Sequence, residues 1–108
     1  MFRSIERRKY DEALRRAGIA AKLESRLRDF ARTHGGRYVL YGSLAKGEAR
    51  YDSDVDLLID FPEAFEAEAW RLAEALCAEM KIESDIKPMA WCTEPFQRRV
   101  LAESRIIA

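Results

Sequence analysis

The chain has 108 residues, 35% of them charged and 48% hydrophobic, which supplies enough apolar material for one packed domain and excludes global disorder. No apolar run approaches the roughly 18–20 residues that a helical membrane span requires, so none is expected. The net charge is zero, yet residues 1–37 hold eleven Lys and Arg against five Asp and Glu, and the remainder carries the opposite imbalance. Such a split points either to an electrostatic partner for the basic segment or to an acidic, cation-binding site in the rest.

The N-terminal stretch Met1-Phe2-Arg3-Ser4-Ile5-Glu6 lacks the apolar core of a secretory signal, and Cys77 and Cys92 are too few for a disulfide framework or a zinc site. A cytoplasmic location is the expectation. Ile19, Leu23, Leu27, Phe30 and Ala31 recur at helical spacing with Arg and Lys between them, so residues 1–34 read as a basic helical segment. Gly18 is expected to kink it or divide it in two; the helix is expected to pack its apolar side on the sheet and contact a partner, the alternative being that residues 1–17 extend to grip a partner's acidic surface. His34-Gly35-Gly36 ends it, and His34 reads as a partner of the helix dipole.

The period then changes, opening a core over residues 37–108 that completes a single domain spanning 1–108. Tyr38–Tyr41 has the length of a buried strand, and Ser43–Ser53 reads as a helical turn followed by a loop. Asp54–Asp60 carries a Val/Leu/Ile centre that predicts a second strand, stopped by Pro62. Glu63–Met80 has helical periodicity, with Cys77 on its apolar stripe, and Lys81–Lys87 predicts a third strand parallel to the second. Thr93 is the expected N-cap of a last helix running to about Ser104. The whole predicts an α+β fold, a small mixed sheet with helices packed on it. Trp70 and Trp91 read as packing residues, with a role at the site left open for Trp91 because it lies just beyond the third strand; Asp52 reads as a loop acid and Asp60 as a strand-end acid.

Chemistry concentrates in Gly42-Ser43, Asp54-Val55-Asp56 and Asp85. Alternation along a strand sends Asp54 and Asp56 to one face while Val55 and Leu57 enter the core. Two carboxylates that close invite a hard cation such as Mg²⁺ or Mn²⁺. A neighbouring third strand brings Asp85 to the same face, giving three carboxylates able to hold two ions for in-line displacement at phosphorus. Gly42-Ser43 sits where a strand enters a turn, with backbone N–H groups for a phosphate, and Lys46 follows one turn later as a triphosphate contact.

The run Tyr41-Gly42-Ser43-Leu44-Ala45-Lys46-Gly47, followed by Asp52-Ser53-Asp54-Val55-Asp56-Leu57-Leu58-Ile59, resembles the signature of the minimal nucleotidyltransferases of the polymerase-β-like nucleotidyltransferase superfamily. The likeness extends from about Tyr38 to Pro88, with Ser84-Asp85-Ile86 at the family's third-acid position. It implies that Gly42 and Ser43 hold ATP, that Asp54, Asp56 and Asp85 bind two Mg²⁺, and that Asp85 is the base for the incoming hydroxyl. It also implies an antitoxin that transfers AMP to a tyrosine of a partner HEPN-domain ribonuclease toxin, within a hetero-oligomer. Leu44 stands where family members often carry Arg, which leaves Lys46 as the nearby cation. The rival expectation is an antitoxin that is inactive or barely active and neutralises by occlusion. Transfer to a small molecule or RNA would instead proceed without a protein partner. Because the Arg residues are spread round the first helix, direct nucleic-acid binding is not expected.

Overall fold

The computed structural model describes Phe2–Ala108, with side chains from Ser4 onward. Met1 and the side chains of Phe2 and Arg3, where the expected basic segment begins, lie outside the described residues. One helix, α1 (Phe2–Thr33), precedes strand β1 (Arg37–Tyr41) and strand β2 (Val55–Asp60). Helix α2 (Glu63–Glu79), strand β3 (Ser84–Pro88), a 3₁₀ turn at Met89–Trp91, helix α3 (Glu94–Ala102) and strand β4 (Arg105–Ile107) follow.

Gly18 neither kinks nor divides α1, contrary to expectation. Its φ is not positive, its position is open, and the flanking Ile19, Ala20 and Leu23 are anchored in the core. Glycine lowers helix propensity by about 1 kcal/mol, far less than this anchoring contributes at roughly 2 kcal/mol per buried Leu. Termination is local: Gly35 adopts φ +66° and the Gly36 N–H donates to the Ala31 carbonyl at 3.0 Å, closing a left-handed cap. His34 stacks on Phe30 and its Nδ1 lies 3.0 Å from the Phe30 carbonyl.

The sheet has the order β3-β2-β1-β4. β1 runs antiparallel to both β2 and β4, whereas β2 and β3 are parallel across the α2 crossover. Alternation divides the strands between two faces. Tyr38, Leu40, Val55, Leu57, Ile59 and Ile107 pack with Leu23 and Leu27 of α1 and with Ala69, Ala73 and Leu76 of α2. Val39 and Leu58 face the other way, beneath Met89 of the 3₁₀ turn and Val100 of α3. Helix α3 is capped by Thr93, whose Oγ1 accepts the Phe96 N–H.

The middle of α1 is fastened to the loops beneath it by charge. Arg15 donates to the carbonyls of Met80 and Lys81 at 2.7 and 3.0 Å, satisfying the end of α2 where Lys81 takes φ 53°. Beyond this joint the helix continues with Ile5, Tyr10 and Leu14 exposed, which accounts for a molecule 52 Å long and 17 Å thick. No helix among the described residues is long and apolar enough to cross a membrane.

Candidate active site

Strand register assembles the site. Tyr41 opposes Asp56 across the antiparallel pair, and Asp56 opposes Asp85 across the parallel pair, so the three lie in one row across three strands. Asp54 stands immediately before β2, two residues from Asp56 and therefore of the same facing. The row lies on the α3 side of the sheet because Val55, Leu57 and Ile86 occupy the opposite, fully packed side.

Gly42 follows Tyr41 with φ +77°, and a Cβ built there would stand 2.3 Å from the Asp56 Oδ2. Only glycine permits this approach of the turn to the carboxylate. Beyond it the chain folds into turns rather than a regular helix: Lys46 N–H donates to Gly42 O at 3.2 Å and Glu48 N–H to Ser43 O at 2.9 Å. The N–H groups of Ser43, Leu44 and Ala45 are left without a backbone acceptor among the described residues. The Ser43 hydroxyl donates to the Ser53 Oγ at 2.8 Å, and that oxygen also accepts the Arg50 N–H. Ser53 is 5% exposed and precedes Asp54, so it ties the glycine turn to the start of the acidic strand.

Burial pushes the Asp56 carboxyl up to about 6, helped first by the charge of Asp54 and then by that of Asp85. All three acids therefore act on one place. They do not close into a ready-made cage: among the described residues no group of three or more His, Cys, Asp or Glu is gathered tightly enough to hold a metal ion. The physical reason is mutual repulsion, together with Lys87, which takes the Asp85 Oδ2 at 3.3 Å and is the cation nearest the row. The donor set, carboxylate oxygens beside a turn of free N–H groups, suits a hard divalent cation that arrives with a polyphosphate and keeps part of its water.

Leu44 and Lys46 decide how much positive charge this end offers a phosphate. Leu44 is buried in the main core, 3% exposed, where an Arg would have no counter-charge. Lys46 Nζ pairs with Glu103 Oε2 at 2.8 Å, and that hydrogen bond raises its pKa. It lines a cavity of about 220 Å³ shared with Tyr41, Gly42, Phe96 and Arg99. Sequence reasoning missed Arg99. It makes no salt bridge among the described residues, stands over the Phe96 ring at 5.6 Å and faces the Gly42 turn. Periodicity places Arg99 on a helix, but nothing in it brings α3 over Gly42.

The family model described as nucleotidyltransferase domain matches residues 20–108, and the chain belongs to that family. A solved structure described as that of a minimal nucleotidyltransferase is similar at 28% identity, over 82% of this chain and 93% of that one, with a TM-score of 0.62. No curated protein matches the chain. The four-stranded mixed sheet with its helices is thus a minimal nucleotidyltransferase fold, and nucleotidyl transfer is the chemistry of the family.

Proposed function

We propose that the chain transfers AMP from ATP to a hydroxyl of a separate protein, a tyrosine of a HEPN-domain ribonuclease toxin, and so acts as its antitoxin. The observation that carries the nucleotide reading is the glycine-only turn at Gly42 set against Asp56, the central acid of three, which pairs with Asp85 across the sheet. The N–H groups after Gly42 receive the polyphosphate, with Arg99 and a Lys46 released from Glu103 supplying positive charge. Asp54, Asp56 and Asp85 would hold two Mg²⁺, which when bound acidify the acceptor hydroxyl and neutralise the departing pyrophosphate. The acceptor oxygen forms a bond to the α-phosphorus while the bond from that phosphorus to the bridging oxygen breaks and pyrophosphate leaves. Asp85, on the outer strand, takes the hydroxyl proton.

The open side of the row supports an acceptor delivered from outside. A cavity of about 340 Å³ beside Lys87 is lined by Trp91, Phe96 and Arg99, and Trp91 is 69% exposed at its rim. An aromatic ledge with two cations suits a phenolic acceptor on an acidic surface. The exposed first turns of α1 offer a second hold on the same partner.

One observation favours the occlusion reading: Lys46 is engaged by Glu103 and Leu44 is in the core, so beside the Gly42 turn triphosphate charge is met by Arg99 until Lys46 moves. Mutation separates the two. Asp54→Asn with Asp56→Asn is expected to leave the complex with the toxin intact while ribonuclease activity returns to that of free toxin. Full neutralisation by the double variant would establish occlusion in place of transfer.

A further inference from the structure

Arg16 lies on α1, ahead of the residues that match the family, and its side chain is 11% exposed. Its Nη1 donates to the Ser53 carbonyl at 2.5 Å and to the Glu83 carboxylate at 3.1 Å, while its Nε donates to Glu12 at 2.8 Å. Ser53 immediately precedes Asp54, and its hydroxyl oxygen accepts from Ser43. Glu83 stands two residues before Asp85, and its carbonyl accepts the Val55 N–H at 2.9 Å. One guanidinium thus sits at the joint where both acid-bearing strands begin, and through Ser53 it also bears on the glycine turn. Glu12, held from its other side by Arg15 at 2.7 and 2.8 Å, keeps the fork aimed.

We propose that Arg16 is a positioning residue for the nucleotidyl-transfer site, setting the spacing of Asp54, Asp56 and Asp85 and the pose of the Ser43 turn from outside the catalytic core. The inference rests on the three carboxylates being the metal site. They repel one another, so without a brace at the base of β2 and β3 the loops relax apart. The planar fork explains why arginine is used: a single ammonium cannot bind the Ser53 carbonyl, Glu83 and Glu12 in fixed directions at once. Outer partners that orient metal ligands are worth 10–100-fold in affinity or rate.

Arg15 supplies the control. It fastens the same stretch of helix, through the same Glu12, to the Met80 and Lys81 carbonyls at the end of α2 and hydrogen-bonds neither Ser53 nor Glu83. The test measures Mn²⁺ affinity by electron paramagnetic resonance, thermal stability, and kcat and KM for ATP by label transfer, in wild type, Arg16→Gln, Arg16→Lys and Arg15→Gln. Positioning predicts that Arg16→Gln binds Mn²⁺ about 10-fold more weakly and loses about 10–100-fold in kcat, a loss larger than any rise in KM for ATP. Arg16→Lys falls between, and Arg15→Gln loses thermal stability alone. Wild-type Mn²⁺ affinity and kcat in a folded Arg16→Gln would overturn the proposal, as would equal losses in Arg15→Gln. Should Arg16→Gln fail to fold, Arg16→Lys decides, and wild-type values in it overturn the proposal. A wild-type chain that neither binds Mn²⁺ nor transfers label refutes the carboxylate site itself, a failure visible before any variant is compared.

Discussion

Asp56 shows how a half-buried carboxylate set between two others burdens the fold. Its carboxyl is raised from 3.8 to about 6 by burial and by its two acidic neighbours, so the folded chain holds that proton at pH values where the unfolded chain has released it. Between about pH 4 and 6 the native state binds more protons, so stability falls as pH rises, and the penalty is complete above pH 6. Asp56→Asn in chelator-treated protein is therefore expected to gain about 1 kcal/mol at pH 7.5 once solvent screening is allowed for, or roughly 5 °C in Tm. The gain should vanish near pH 4, and thermal melts across that range check it. The Asp pair was legible beforehand because strand alternation is a local rule. The engagement of Lys46 by Glu103 was not, since it depends on where α3 and β4 settle.

Among the elements, α1 departs furthest from its expected form. An interior glycine is a weak local signal against a face of Ile19, Leu23 and Leu27 that the sheet requires, and the continuous helix is the outcome. Gly18→Ala meets nothing within 4 Å and needs no change of backbone, so it is expected to stabilise the protein by about 0.5–1 kcal/mol in urea unfolding without changing transfer. The strand, helix, strand order of β2, α2 and β3 was readable from period and breakers, and so was the Thr93 cap. Strand β4 was not. Its three residues are too few to display alternation, and it exists because Ile107 fills the core beside Tyr38, its partner on β1.

At the scale of the whole molecule, the charge asymmetry is met in part inside the chain. Arg15 and Arg16 meet Glu12, Arg16 also meets Glu83, Arg26 meets Glu79, Arg28 meets Glu24 and Arg37 meets Asp60. Arg16, Arg26 and Arg37 thus reach acids of the remainder, which a running count of charges cannot reveal because Glu83, Glu79 and Asp60 are distant in sequence, whereas Glu12 and Glu24 are neighbours on the same helix. The cations on the site side, Lys87 and Arg99, come from the acidic remainder. The molecule divides its work accordingly: α1 and α2 supply the core, β2 and β3 carry the acids, and α3 roofs the glycine turn.

The central claim is that the Gly42 turn and the carboxylates of Asp54, Asp56 and Asp85 perform nucleotidyl transfer to a protein. Its most direct test is the intact mass of the candidate HEPN partner after incubation with this chain, Mg²⁺ and each of the four nucleoside triphosphates. A gain in whole AMP units with ATP, absent with Asp54→Asn, is the predicted result. A stable complex whose partner gains no mass with any nucleotide would contradict it.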